Sequence, residues 1–491
     1  MNWIELHQYQ ENNRLEAKAA VGGLPHSLWE TYSAFANTSG GYILLGVDEC
    51  VDRSLRAVAL PDPEKLVSEF WSTINNRQKI NVNILTDKNV KIIEANGHRI
   101  VVIEIPRADR RDKPVYIGSD PFSGSYRRNG EGDYHCTKDE VRNMMRDQSD
   151  MSQDLRVLEQ LDLDSFDYES LKRYRTRLQN IRPDHVWENL EPVPFLQKLG
   201  CIGRSEDGAL HPTVAGILMF GFEYEIVKEF PSYFLDYQEH DNTSTRWTDR
   251  IVSNLGDWSG NIFDFYFRVC SRITQEAKTP FKLDGVTRVD DTPVHKALRE
   301  ALANALIHAN YYDRLGLVIH RRPQHITIAN PGSFRISIHD ALAGGISDPR
   351  NYTLFKLFNL IGIGERAGSG IPNIYAIWKK EGWASPILEE QFNPDRTVLS
   401  LALSKTSDKK RAIKTSDKKR AIKMVEKTPK GAARKQAIID YLTEYNAGKA
   451  SIISEHIGIS PGRVRVYLQE LTNEGIIVAE GANRNKTYRL K

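Results

Sequence analysis

The sequence predicts an α+β protein of several domains, and three observations carry that prediction. The chain has 491 residues, about three domains at roughly 150 residues each. Short apolar strands and polar helical stretches mix within its first 148 residues, the pattern of an α+β fold. Its charge is uneven. Lys405 to Lys491 holds 20 Lys and Arg against 9 Asp and Glu, or +11, and a total of +3 leaves −8 on the first 404 residues. An acidic body with a basic tail suggests that the tail meets a polyanion. A solubilising tail is the plain alternative.

Composition excludes several classes. Apolar residues at 40% and charged residues at 27% are ordinary globular values, which rules out wholesale disorder and collagen-like repeats. There is no run of 18 or more apolar residues, so no membrane span is expected. The opening MNWIELHQYQENNRLEAK lacks the basic-then-apolar layout of a signal peptide. Cys50, Cys136, Cys201 and Cys270 lie far apart, which argues against a CxxC zinc site and a disulfide framework. A soluble protein of a reducing cytoplasm is the expectation.

Residues 1–148 form the first unit. SAFANTSGGYILLGVDE (33–49) sets a Gly40-Gly41 turn before an apolar strand, Tyr42–Val47. A second strand runs over Arg99–Arg107, followed by a basic loop, SYRRNG (125–130) and a helix from about Thr137. Residues 149–285 form a connecting region that opens with a charged helical stretch near Asp150–Ile181. The apolar run HPTVAGILMFG (211–221) reads as packing. Residues 286–404 hold an Ala/Leu-rich helix (Pro293–Asn310), strand-like LVIHR and HITIANPG, and two glycine-rich stretches, AGGISDPRN (343–351) and IGERAGSGI (363–371).

Residues 405–431 contain TSDKKRAIK twice, at 406–414 and 415–423. A nine-residue period with no apolar stripe buries no core, so this is a linker or a basic arm on nucleic acid. Residues 432–491 read as three helices and two strands: Arg434–Tyr445, ASIISEHIGIS, Pro461–Glu474 (Ser460 as N-cap, Pro461 at its first position) and IIVAEGANRNKTYRL. That order is a winged helix-turn-helix. Its third helix would enter the major groove, presenting Arg463, Arg465 and Tyr467 beside buried Val464, Val466 and Leu468. Arg484 and Lys486 would sit on the wing, against phosphate or the minor groove. A protein-interaction module is the alternative.

Two constellations carry chemistry. Glu11, Glu16 and Lys18 lie close in sequence, and Asp48 and Glu49 end the first strand. Three carboxylates converging on one point would hold Mg²⁺ or Mn²⁺ through oxygens. The metal would activate water against a phosphate, with Lys18 holding the phosphate or offsetting charge. Solvated carboxylates are the plain alternative. Further on, no G-x-x-x-x-G-K-[ST] occurs, so a Walker-type motor is unsupported. In Arg299-EALANALIHANY-Tyr312, Glu300, Asn304 and His308 are spaced i, i+4, i+8 and share a helix face. A polar stripe in such a helix must face a wet or ligand-filled cavity, because unpaired polar groups are costly to bury. Glu300 would orient an attacking water, and Asn304 would place an oxygen on Mg²⁺ and phosphates.

GLPHSLWETYSAFANTSGGYILLGVDE, preceded by E-NNRL-EAK and followed by DKPVYIG…GSYRRNGEGD, resembles the Schlafen AlbA-type domain over about residues 8–145. In Schlafen nucleases two glutamates before a lysine, plus an acidic residue after Gly-Val, form a cleavage site. Glu11 and Glu16 match the first two, and the third falls on Asp48 or Glu49, with Glu49 the better fit by position. The resemblance also implies nucleic-acid contact, through Arg107, Arg110, Arg111, Lys113, Arg127 and Arg128. A solvated loop is the alternative for these six.

The later helix, ANPGSF (329–334), SDPRN (347–351) and ERAGSGI (365–371) together resemble the GHKL-type ATPase domain, an α/β sandwich. That resemblance implies Glu300 as the water-activating base and Asn304 as the Mg²⁺ ligand of a bound ATP, with His308 on the same stripe. Asn330 stands where the superfamily has the adenine-reading Asp; an amide oxygen still accepts from the adenine amino group, without charge. Gly332, Gly368 and Gly370 would allow close approach to phosphate, and Arg350 and Arg366 would pair with it. GHKL-type domains commonly work as dimers, so a homodimer or higher oligomer is expected. The whole reads as an ATP- and DNA-binding, nucleotide-responsive transcription regulator with at most slow ATP turnover. The alternatives are a nucleotide-gated, metal-dependent Schlafen-like nuclease acting on RNA or DNA, with phage defence as one use, and an adaptor with a dead pocket.

Overall fold

The computed structural model describes residues 6, 9–241, 246–275, 283–284, 287–288, 292–364, 368–392 and 394–403, and separate positions between 438 and 490. The chain divides into two compact units, Met1–Ser404 and Lys405–Lys491.

The first unit opens on a four-stranded sheet in the order Leu15–Lys18, Gly41–Leu45, His98–Ile105, Val90–Ala95. The first two strands pair in parallel and the others antiparallel. Successive side chains of a strand point to opposite faces, and this sheet buries both. Val101, Ile103 and Ile105 face the helices Ser27–Asn37 and Pro63–Ile74, where Trp29 stacks on Phe70 at 5.4 Å. Ile100 and Val102 face a smaller cluster with Leu15, Leu44 and Val47.

The SAFANTSGG motif is a brace. The Asn37 amide accepts from Val115 N–H (2.8 Å) and donates to the carbonyls of Val115 (2.8 Å) and Tyr126 (3.0 Å). Ser33 Oγ donates to Val115 O at 2.7 Å and accepts from Tyr126 N–H at 2.9 Å. A Cβ at Gly41 would meet Arg14 O and the Phe35 ring within 2.9 Å, so the parallel pairing requires glycine there.

Residues 149–403 share one apolar core, running from Leu158 to Leu401. A six-stranded sheet crosses it in the order Asp249–Val252, Leu235–Glu239, Leu317–Arg322, His325–Pro331, Arg396–Ala402, Ile387–Gln391. Its one parallel pair joins Leu235–Glu239 to Leu317–Arg322, so the segments 149–285 and 286–404 build a single sheet. The charged stretch after Asp150 differs from the expected helix. It makes two short 3₁₀ turns before the helix Tyr168–Ile181 begins. Buried Asp154 instead caps another helix, Tyr352–Leu360, accepting from Thr353 N–H (2.7 Å) and Leu354 N–H (2.9 Å). HPTVAGILMFG is a fully buried helix, Val214–Phe220, capped by Thr213.

In the second unit, Ile477–Glu480 and Thr487–Leu490 pair antiparallel, and Gly448–Lys449 adds a third strand on Thr487–Leu490. Ile438, Leu442, Ile453, Val464, Leu468 and Leu471 pack with Ile477 into a small core. Tyr467, expected on an exposed face, is buried there too. Arg463, Arg465, Arg484, Lys486 and the repeats at 406–423 lie outside the described residues. Among the described residues no helix is long and apolar enough to cross a membrane.

The brace gives a first prediction. Asn37→Ala takes this partner from two buried backbone groups, Val115 N–H and Tyr126 O, while Val115 O keeps Ser33 Oγ; each costs toward the low end of about 1–3 kcal/mol. A total loss of about 2–3 kcal/mol is expected, read from the urea midpoint; wild-type stability in the variant would refute the brace.

Candidate functional site

The helix Pro293–His308 is set by its sequence. Thr292 accepts from His295 N–H, and Pro293 occupies the first turn, where a missing N–H is harmless. Val294, Ala297, Leu298, Ala301, Leu302 and Leu306 bury its apolar side. The polar stripe of Glu300, Asn304 and His308 lines a cavity of about 140 Å³. Asn304 Nδ2 donates to Glu300 Oε1 at 3.2 Å.

The opposite wall comes from the strand His325–Pro331 and the segments around Ser333 and Ser347. Asn330 is 7% exposed, and its Oδ1 has no hydrogen-bond partner among the described residues. Gly332 (φ +95°) and Gly368 (φ +61°) take left-handed backbone that other residues rarely adopt. Gly370 opens the helix Gly370–Glu381, where a Cβ would lie 2.6 Å from Glu300 Oε1 and 2.8 Å from Asn304 Nδ2. The helix stripe, Asn330, Arg350, Gly368 and Gly370 therefore line one hollow, while Gly332 shapes the turn beside it. Arg366 lies outside the described residues. Burial, reinforced by the Arg350 and Arg335 cations, pushes the His308 imidazole down to about 4.

Arg350 corrects an expectation. It is no free phosphate clamp. Its guanidinium grips both oxygens of Asp147 (2.9 and 2.7 Å) and donates to the carbonyls of His308 (3.0 Å) and Ser333 (2.9 Å). Asp147 belongs to the helix Lys138–Gln148.

Five of the six basic residues expected on nucleic acid are corrected in the same way, because this chain supplies their oxygens. Arg107 pairs with Glu390 and donates to Phe334 O at 2.8 Å. Arg110 meets Asp348 at 2.5 Å and the carbonyl of Asp147 at 2.7 Å. Lys113 is buried, donating to Asn37 O at 2.7 Å, and burial lowers its ammonium to about 7. Arg127 is buried against Glu140. Arg128 is buried between Glu16 (2.8 Å) and Asp133 (2.9 Å). Arg111 alone of the six stays largely in solvent, 3.1 Å from Asp150.

The N-terminal carboxylates are half assembled. Glu11 accepts from Ala17 N–H at 2.8 Å. Burial raises its carboxyl, and the nearby charges of Glu16 and Glu49 raise it further. Glu49 is thus near Glu11, whereas Asp48 points to the other side of its short strand. Glu16, however, is neutralised by Lys18 (2.9 Å) and Arg128 (2.8 Å). Among the described residues no three His, Cys, Asp or Glu side chains are grouped to hold a metal ion. Among the described residues Glu11, Glu16 and Glu49 are thus not gathered into one group, and Glu16 is shared by two cations.

Comparison with known families fits this geometry. Residues 3–137 match the family described as "Schlafen, AlbA_2", and residues 318–399 match "Putative ATP-dependent DNA helicase recG C-terminal". The chain carries an N-terminal Schlafen AlbA_2 domain and a RecG-like C-terminal domain of the ATPase type. Residues 142–236 match a domain of unknown function, and residues 434–484 match a family described as "FaeA-like protein". No curated protein matches. Among solved structures, the DIP2311 protein from Corynebacterium diphtheriae is 16% identical, covering 97% of this chain and 94% of that one, with a TM-score of 0.39. The N-terminal domain of a "Putative ATP-dependent DNA Helicase RecG-related Protein" from Nitrosomonas europaea is 30% identical, covering 27% of this chain and 89% of that one, with a TM-score of 0.21. The AlbA_2 and RecG-like domains together point to a DNA-binding, ATP-related protein.

Sequence reasoning missed Asp147, whose carboxylate holds Arg350, and Asp348 and Glu390, which hold Arg110 and Arg107. Only Asp348 carried a signal, inside the SDPRN string.

The His308 imidazole yields a pH prediction. Between about pH 4 and its ordinary 6.5 the unfolded chain takes up a proton that the folded protein refuses. Stability therefore rises with pH across that window. Urea midpoints at several pH values should show a shallower rise in His308→Gln than in wild type, and parallel curves would refute a neutral imidazole in the folded protein.

Proposed function

We propose that this chain is a nucleotide-responsive DNA-binding protein, a transcription regulator, that takes a purine nucleoside triphosphate with Mg²⁺ beneath the helix Pro293–His308. The observation that carries this reading is the Asn330 Oδ1, buried and unpartnered at the wall of the cavity that also collects Glu300, Asn304 and His308. A buried acceptor without a donor costs about 1–3 kcal/mol, and an adenine amino group would relieve it. Neutral His308 adds no charge to the hollow, and Gly370 leaves room beside the Glu300–Asn304 pair.

The residues suit a magnesium ion. Mg²⁺ keeps several waters and is bound through one or two protein oxygens plus phosphates, so no carboxylate cluster is needed. Asn304 would hold it, and the ion would neutralise phosphate charge. Glu300 would orient a water, which supports slow turnover used as a switch. A nuclease reading is weaker, because Glu16 is already paired with Lys18 and Arg128.

The second unit would supply the DNA contact. Its three-stranded sheet, small helical core and +11 charge support a winged helix. Nucleotide-dependent pairing of two protomers would then set the spacing of two such units on a pseudo-palindromic site.

Calorimetry with Mg·ATP tests the pocket. Wild type should bind, and Asn304→Ala should weaken binding about tenfold, roughly 1.4 kcal/mol; no heat from either protein would refute the site. Deleting residues 424–491 should remove most DNA affinity, and the intact protein's affinity should fall steeply between about 50 and 200 mM salt. Equal affinity after deletion would refute the assignment of DNA contact to the tail.

A further inference from the structure

The wall of the cavity is held from outside its own domain. Arg350 ties the end of the helix (His308 O) and the rim (Ser333 O) to Asp147, on the helix Lys138–Gln148 that follows the AlbA_2 match. Phe334, also on the rim, is gripped at both backbone groups: Glu390 accepts from its N–H at 2.8 Å, and Arg107, paired with Glu390, donates to its carbonyl. Arg110 holds Asp348 of the neighbouring wall segment. The three cations expose only 17%, 12% and 10% of their side chains. A buried pair that loses one member leaves a stranded charge, so these contacts are made or lost largely together.

We infer that the AlbA_2 domain is a working half of the nucleotide site: its Arg107 and Arg110, together with Asp147 of the helix that follows it, acting through Arg350, are positioning residues for the cavity wall, and nucleotide binding is coupled to docking of the AlbA_2 domain. This rests on the nucleotide reading of the cavity. Coupling between two sites is reciprocal. A nucleotide that favours the arranged wall favours the docked domain, and a docked domain raises affinity. Docking also occupies Arg107 and Arg110, so the nucleotide governs whether that basic loop is free to meet another anion.

Hydrogen exchange and calorimetry on the full chain test this. Mg·ATP should slow exchange in residues 107–113 of wild type as well as in the cavity wall. Asp147→Asn should lower Mg·ATP affinity about tenfold and abolish the protection at 107–113, and Asp147→Glu should restore part of both. Wild type that binds Mg·ATP with exchange at 107–113 unmoved overturns the coupling alone, and this arm needs no variant to fold. Asp147→Asn that binds and protects as wild type does also overturns it. Wild type that binds no Mg·ATP overturns the nucleotide reading and this inference with it.

Discussion

A guanidinium taken out of water must find oxygens, and Arg350 finds them on three separate elements. One is the carboxylate of Asp147, and two are backbone carbonyls at the end of one helix and the start of a rim loop. No other residue type presents a planar fork of five donors. The geometry of the cavity follows from that demand. His308 O and Ser333 O are held at fixed distances from each other because both accept from the same rigid group. Asp147 must be present to balance the charge, which brings the helix Lys138–Gln148 against the wall. Gly332 completes the arrangement, since a Cβ there would run into the Arg350 guanidinium.

The same demand explains why the loop 107–113 looked like a nucleic-acid surface. Composition reports the sign of a charge and not its distance from solvent. Arg107, Arg110 and Lys113 crowd a short segment, as they would on a phosphate-binding patch, yet their partners come from residues up to 283 positions away in the chain. Ion pairs of this kind contribute little net stability, because desolvation offsets attraction. Their effect is on geometry: each cation accepts one arrangement of oxygens and rejects others.

Regularly spaced features were legible in the sequence. The i, i+4, i+8 stripe in the Ala/Leu-rich helix does line a hollow, because helical periodicity is local and needs no partner to be specified. SAFANTSGG was legible as a motif but not as a mechanism; Asn37 and Ser33 work on backbone groups some 80 to 90 residues later, and no local rule reveals that. The middle segment was silent for a different reason. Its strand Leu235–Glu239 is completed by Leu317–Arg322 from the following segment, so the boundary drawn near residue 285 cuts a sheet whose halves make sense only together. The short 3₁₀ turns after Asp150 failed as a predicted helix because the Asp154 side chain was needed elsewhere, on the N-terminus of Tyr352–Leu360.

The contrast between these two kinds of feature bears on whether the cavity is a vestige. A degenerate pocket has no reason to stay open: apolar walls such as Ile328, Leu388 and Leu399 would gain by closing, and a stranded amide would swing to water or find a backbone partner. Here the wall segments are tied by Arg107 and Arg110 of the AlbA_2 domain and by Asp147 through Arg350, glycine replaces any side chain that would fill the space between Glu300 and the Gly370–Glu381 helix, and the Asn330 oxygen stays buried without a donor among the described residues. Each of these costs stability by itself. All three cost less once a polar, flat molecule with a hydrogen-bond donor on its edge lies between the walls, so a hollow kept open in this way is better explained by an occupant than by decay.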